Sequence, residues 1–162
     1  MAGEIKTIEL SARGQRYALC VARWNDDITG PLLEGAKAAL LAAGAGEENI
    51  AVHRCAGAFE LLGAVARSIP SGVDGVIAIG CLIKGDTDHY EYLAGPVSQQ
   101  LAELAAHAAA RVKPVAVSFG LLTVRKREHA AERARPGPSN KGAEVANACV
   151  EQVNLLRAIA HP

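Results

Sequence analysis

Aromatic side chains are scarce in this chain: one Trp, three Tyr and two Phe among 162 residues. The core must therefore be filled mainly by aliphatic groups, and any ring that reaches the surface needs a reason. A surplus of one charge is also missing. Lys plus Arg and Asp plus Glu number 17 each, so the formal net charge is zero. Nucleic-acid binders usually carry a basic face. The one dense basic run is Arg125-Lys126-Arg127, with Arg133 and Arg135 after it, and Glu128 and Glu132 are interleaved as on a solvated helix face. No nucleic-acid partner is expected. The four cysteines, Cys20, Cys55, Cys81 and Cys149, contain no C-x-x-C pair, which argues against a zinc site and against a disulfide framework. Reduced, buried thiols are expected. No H-x-H or H-E-x-x-H spacing points to a metal. No run of about 18 apolar residues occurs, and Met1 to Leu10 lacks an apolar stretch of signal-peptide length. A soluble, cytoplasmic protein with no membrane partner is expected.

What is present is an alternation. Half of the residues are apolar, enough for one core, so residues 1–162 read as a single domain. Buried strands are expected at Tyr17–Ala22, Ile50–His53, Gly75–Gly80 and Pro114–Phe119. Helices are expected from Asn25 or Asp26 to about Ala43, over Phe59–Ser68, from about Glu91 to Arg111, over about Lys126–Ala134, and from Ser139 or Asn140 to near Ala160. In the last helix Val145, Ala148, Cys149, Val153, Leu156 and Ile159 recur at helical spacing. This βαβα order predicts a three-layer α/β/α sandwich around a mostly parallel four-stranded sheet, wound in the flavodoxin-like manner. Ile5–Leu10 alternates apolar and polar with period two and reads as an extra N-terminal strand, which pairing with a neighbouring subunit would satisfy.

In such folds ligands bind beyond the carboxyl ends of the strands, and each end carries chemistry. After the first comes Arg23-Trp24-Asn25-Asp26, where Trp24 is either a hydrophobic plug or a stacking surface for a flat heterocycle. After the second comes Gly57-Ala58-Phe59-Glu60. Its glycine allows close backbone approach, Ala58 and Phe59 offer amides at a helix start, and Glu60 suits the helix dipole. After the third comes Cys81-Leu82-Ile83-Lys84-Gly85-Asp86-Thr87-Asp88-His89-Tyr90. Backbone N–H groups around Gly85-Asp86-Thr87 suit an anion, although the Asp86 carboxylate would repel one. His89 opens the next helix and is a candidate general acid–base. After the fourth comes Phe119-Gly120-Leu121-Leu122-Thr123, with Phe119 as core or pocket wall.

Together these segments resemble the lumazine synthase family. Arg23-Trp24-Asn25 resembles its R-[FW]-N motif and Gly57-Ala58-Phe59-Glu60 its P-G-A-F-E, with Ala56 in place of proline. Leu82–Tyr90 resembles its V-I-[RK]-G-x-T-x-H-[YF], and Phe119–Thr123 its F-G-[IL]-[LV]-T. Glu132-Arg133-Ala134 and Asn140-Lys141-Gly142 resemble its E-R-A and N-K-G. The match runs in order from about residue 16 to 157. Tyr90–Pro114 is about one helical turn longer than the family pattern, and Asp86 stands where uncharged residues are usual.

The resemblance implies condensation of 5-amino-6-(D-ribitylamino)uracil with 3,4-dihydroxy-2-butanone 4-phosphate to 6,7-dimethyl-8-ribityllumazine, phosphate and water, with no metal or organic cofactor. It implies that Trp24, Ala58, Phe59, Glu60, Cys81, Leu82, Ile83 and Phe119 hold the ribitylaminouracil, that Asp86, Thr87 and Arg133 hold the butanone phosphate, and that His89 transfers protons. It also implies a homopentamer, in some relatives assembled into an icosahedral shell, with Phe119 and Arg133 supplied by a neighbour and riboflavin synthase as a partner. Two other readings fit parts of the pattern: a flavin- or lumazine-binding module without catalysis, and a chiefly structural shell protein.

Overall fold

The computed structural model describes residues 8–160. Four parallel strands, β1 (Tyr17–Ala22), β2 (Ile50–Cys55), β3 (Gly75–Ile83) and β4 (Ala116–Val124), form one sheet in the order β2-β1-β3-β4. The helices are α1 (Asp26–Ala42), α2 (Ala58–Ser68), α3 (His89–Ala109), α4 (Arg127–Ala134) and α5 (Lys141–Ala160). This is the α/β/α, flavodoxin-like arrangement expected from the alternation. Parallel neighbours cannot be joined by tight turns, so each connection must cross a face of the sheet. β1 is buried throughout and β3 from Gly75 to Cys81, which is why both are unbroken apolar runs.

Side chains alternate between the two faces. Tyr17, Leu19, Val21, Ile77 and Ile79 pack with Leu32 and Leu40 of α1 and Cys149 and Val153 of α5. Ala18, Cys20, Ala22, Val76 and Ala78 pack with Leu61 and Val65 of α2 and Val97 and Leu101 of α3. The second face is built from small strand residues, so the bulk comes from helical leucines and valines. Tyr17 is the one aromatic among the largest fully buried side chains of the described residues. Its hydroxyl donates to Gln15 Oε1 in a short contact. Gln15 Nε2 donates to Asn154 Oδ1 at 2.6 Å, and Asn154 Nδ2 donates to Glu9 O at 2.7 Å. Glu9 and Gln15 are thereby tied to α5.

The structure departs from the expectations at several places. β3 continues through Cys81-Leu82-Ile83, and β2 reaches Cys55. β4 runs to Val124, so Phe119 lies within the strand, opposite Ala78, and not at its end. Along α5 the buried stripe is Gly142, Ala146, Cys149, Val150 and Val153, while Ala148 and Ile159 are exposed. Of the proposed N-terminal strand, Ile5 to Thr7 lie outside the described residues, and Ile8 to Leu10 belong to no strand of this chain.

Asn140 explains the Asn140-Lys141-Gly142 segment. Its Oδ1 accepts the amides of Gly142 at 2.9 Å and Ala143 at 3.2 Å, capping α5. Its Nδ2 donates to the carbonyls of Ala134 at 3.0 Å and Pro31 at 3.3 Å, which joins α4 and α1 to that cap. Gly142 lies so close to α1 that a Cβ would stand 1.9 Å from Leu32 O. Each internal proline, Pro31 and Pro96, follows a glycine. A Cβ before proline would clash with the ring in helical geometry, and glycine has none.

Gly142→Ala should therefore destabilise the fold by about 1–3 kcal/mol in urea unfolding, whereas Gly63→Ala in α2, with nothing within 4 Å, should be neutral or stabilising. Equal effects would contradict this packing account. Burial pushes the Cys149 thiol from its ordinary 9.0 up to about 12 and the Cys81 thiol to about 11, and it raises the Tyr17 phenol in the same direction. Above pH 9 the unfolded chain releases protons that the folded chain keeps, so stability should fall as pH rises from about 9 towards 12. Melting at pH 8 and 10.5 tests this, with a lower midpoint expected at the higher pH and an unchanged midpoint contradicting it.

Candidate functional site

The order β2-β1-β3-β4 has a switch point between β1 and β3. From β1 the chain enters α1 on one face, and from β3 it enters α3 on the other. The two connections part and leave a crevice beyond the carboxyl ends.

At the end of β1 the amides of Arg23 and Trp24 donate to Cys55 O at 2.9 Å and Ala56 O at 3.1 Å, extending the β1–β2 ladder. Asn25 then adopts φ 59°, ψ 49°, the one non-glycine residue with positive φ among those described. Asn tolerates this left-handed geometry better than most residues. Its Nδ2 donates to Cys81 O at 3.0 Å, fastening the turn to β3. The turn leaves Trp24 73% exposed.

At the end of β2, Gly57 is extended and α2 starts at Ala58. The Gly57 amide donates to Glu60 Oε2 at 3.0 Å, so Glu60 reaches back to cap its own helix. A Cβ on Gly57 would stand 3.1 Å from Trp24 Cδ1 and 3.3 Å from Glu60 Oε2. A side chain there would press on both neighbours, whereas the backbone angles of Gly57 suit any residue. Phe59 is 62% exposed.

At the end of β3 the Lys84 amide donates to Val124 O at 2.9 Å. The Lys84 side chain forms an ion pair with Glu91 of α3 across the exposed loop that holds Asp86 and Thr87. The hydrogen bond from Lys84 leads in holding the Glu91 carboxyl below its ordinary range. His89, the first residue of α3, is exposed.

These three strand ends enclose a cavity of about 530 Å³ lined by Trp24, Asn25, Gly57, Ala58, Phe59, Glu60, Cys81, Leu82, Ile83, His89 and Leu93. The volume lies within the range of small-molecule sites. The walls are apolar or aromatic, with one carboxylate and one imidazole. Burial keeps the Cys81 thiol protonated at neutral pH, its pKa pushed up to about 11, so it serves as wall and not as nucleophile. A larger groove, about 730 Å³, lies between α1 and the turn before α5, but Glu34 is its only titratable lining residue. Among the described residues no group of three or more His, Cys, Asp or Glu is arranged to hold a metal ion.

Of the residues singled out in the sequence, Trp24, Ala58, Phe59, Glu60, Cys81, Leu82, Ile83 and His89 meet in this one cavity. Asp86 and Thr87 lie on the adjoining exposed loop and do not line it. Phe119 is 47% exposed on edge strand β4, beside a separate hollow of about 270 Å³ that includes Leu101 and Ala105. Arg133 is on α4, its Nη1 donating to His129 O at 2.9 Å. Asn25 and Leu93 were not singled out as site residues. Leu93 had a signal, one helical turn beyond His89 on the same face. The side-chain bond from Asn25 to Cys81 had none.

A family model described as 6,7-dimethyl-8-ribityllumazine synthase matches residues 14–157. The chain belongs to the 6,7-dimethyl-8-ribityllumazine synthase family. It is 41% identical over 156 residues to the 6,7-dimethyl-8-ribityllumazine synthase of Chloroherpeton thalassium, covering 94% of this chain and 97% of that protein. It is 43% identical over 152 residues to the protein of the same name from Anaeromyxobacter dehalogenans strain 2CP-C, covering 93% and 91%. Members of this lumazine synthase family are transferases of riboflavin biosynthesis, and the matched span includes every strand and helix that builds the cavity. None of the helices among the described residues is long and apolar enough to cross a membrane.

The Glu60 contact separates its local role from any contact with substrate. Glu60→Ala should lower stability by about 1 kcal/mol through loss of the cap, while Glu60→Gln keeps an acceptor for the Gly57 amide and should fall much less. Denaturant titration of both variants checks this, and equal losses would argue against the capping role.

Proposed function

We propose that this chain condenses 5-amino-6-(D-ribitylamino)uracil with 3,4-dihydroxy-2-butanone 4-phosphate, giving 6,7-dimethyl-8-ribityllumazine, phosphate and two waters. The observation that carries this reading is the meeting of Trp24, Glu60 and His89 in one cavity at the β1/β3 switch point, in a chain of this family. Trp24 stacks on the flat pyrimidine. The helix-start amides of Ala58 and Phe59, with Glu60, meet its polar edge and the ribityl hydroxyls. Cys81, Leu82 and Ile83 form the floor. His89, on the rim, moves protons as the amine adds to the ketone, the carbinolamine loses water to give the imine, phosphate is eliminated, and attack of the ribitylamino nitrogen on the remaining carbonyl closes the ring with loss of a second water. Holding two substrates in register supplies much of the acceleration.

The butanone phosphate binds at the Gly85-Asp86-Thr87 loop through backbone amides, opposite an arginine. Within one chain, Phe119 and Arg133 stand apart from the cavity, so in this reading both come from an adjacent subunit. Two features support an assembly in which strand edges are covered. β2 is exposed at Ala51, Val52, His53 and Arg54, and β4 carries the exposed ring of Phe119 on the opposite edge. A homopentamer meets this need, with the N-terminal segment joining the next subunit's sheet. The turn Arg135–Ser139 has no long insertion, which favours further assembly into a shell. A cytoplasmic location agrees with this chemistry.

The direct test mixes the protein with both substrates and follows lumazine absorbance and phosphate release together. Stoichiometric formation of both is expected, and no product at high enzyme concentration would contradict the reading. His89→Ala should lower kcat about 10²-fold or more with little change in KM. Arg133→Ala should instead raise KM for the phosphorylated substrate by about 10–100-fold, the worth of a charged hydrogen-bond pair. Identical behaviour of the two variants would refute this division of roles.

A further inference from the structure

Helix α4 is short and, at its N-terminal end, poorly capped, although Glu128 and Arg133 suit the helix dipole. It spans eight residues, Arg127–Ala134, a length that is marginal for an isolated helix. Its N-cap, Lys126, makes no side-chain cap bond. Arg127 in the first position sets a cation at the positive end of the helix dipole, which is unfavourable. Contacts from elsewhere in the fold fix both ends. At the C-terminal end Asn140 Nδ2 donates to Ala134 O at 3.0 Å and Arg135 O at 3.1 Å. At the N-terminal end the Arg127 guanidinium reaches the β1–α1 turn. There Nη1 donates to Asn25 Oδ1 at 3.3 Å, and Nη2 forms an ion pair with Asp27.

The turn on the other side of this contact is equally unusual. Asn is favoured at an N-cap because its side chain accepts an amide of the first helical turn. The Asn25 side chain makes no such bond. Instead Nδ2 donates to Cys81 O and Oδ1 accepts from Arg127. One side chain thus joins the end of β1, the end of β3 and the start of α4, next to the exposed ring of Trp24.

We propose that Arg127 is a positioning residue, locking the turn that presents Trp24 to the helix that carries Arg133. The guanidinium fork suits this task because it can bond Asn25 and Asp27 at once, which an ammonium cannot do with the same geometry. The two ion-pair partners are 52% and 59% exposed, so the contact adds little to global stability. Its effect lies in the local population of one turn conformation. The link between Trp24 and α4 stands on geometry alone. Its consequence for the reaction rests on the proposed function: there, Arg133 serves a neighbour's site, and the clasp ties each subunit's stacking ring to the arginine it lends.

Trp24 is the sole tryptophan, so its fluorescence reports the turn in the full-length protein without substrate. Arg127→Met should increase the fast-depolarising part of the time-resolved anisotropy about twofold, with a melting midpoint close to wild type, as befits an exposed pair. Asp27→Asn should act in the same direction, and it decides the matter if Arg127→Met does not fold. Arg127→Lys should fall between wild type and Arg127→Met. In the assay with both substrates, Arg127→Met should raise both KM values about threefold with kcat nearly unchanged. A merely structural role would reduce the active fraction, and so kcat, and leave KM alone. Unchanged anisotropy in both Arg127→Met and Asp27→Asn overturns the proposal, and raised anisotropy with unchanged KM overturns its link to the site. If the wild type forms no lumazine, the proposed function fails while the anisotropy still tests the clasp.

Discussion

All four strands run in one direction, so all four carboxyl ends open on one edge of the sheet. Every connection leaving that edge must cross a face, and at β1 and β3 the chain crosses opposite faces. The crevice between them follows from this constraint, whatever residues line it. The rest of the site is a set of devices for holding three strand ends in place. Asn25 bonds β3, Glu60 caps α2 over Gly57, and the Lys84 amide bonds the end of β4. β1 throughout and β3 from Gly75 to Cys81 are buried and give those devices a rigid base.

The scarcity of aromatics sharpens the picture. Of six rings, those of Trp24, Phe59, Tyr92 and Phe119 are exposed in the single chain. A protein that builds its core from alanine, valine and leucine has little reason to leave most of its rings in water. Two of them, Trp24 and Phe59, wall the cavity. Phe119 lies on the opposite edge of the sheet, as expected of a surface that meets another copy. In the proposed assembly the exposed rings would lie where one subunit meets its site or its neighbour.

How much was legible in the sequence follows from how local each signal is. β1 and the start of β3 were plain, because burial on both faces demands unbroken apolar runs. The ends of β3 and β4 were not. Gly80 and Gly120 look like stops, yet both sit inside strands. A Cβ on Gly80 would stand 2.8 Å from Leu121 Cδ1, and one on Gly120 would stand 2.7 Å from Ala78 O. They are glycines because neighbours approach closely, which no single segment can reveal. The cavity residues from Trp24 to His89 were legible through motif and strand-end position together. The basic run read as a solvated face, and Arg125, Lys126 and Arg127 are exposed; what no local signal shows is that Arg127 also spans to Asn25 and Asp27. Asp86 lies on the exposed loop beside the cavity, and nothing in the structure explains its charge there.

In the proposed function one chain holds only half of a site, with Trp24 and His89 on one subunit and Phe119 and Arg133 on the next. Subunit complementation tests it most directly. His89→Ala and Arg133→Ala proteins, each of low activity alone when the phosphorylated substrate is kept below the wild-type KM, are unfolded together in equal amounts and refolded as mixed oligomers. In a ring of head-to-tail contacts, about a quarter of the interfaces then pair an intact His89 with an intact neighbouring Arg133, and activity should return to about that fraction of wild type. Mixed oligomers no more active than their parents would contradict the account and return both residues to one subunit.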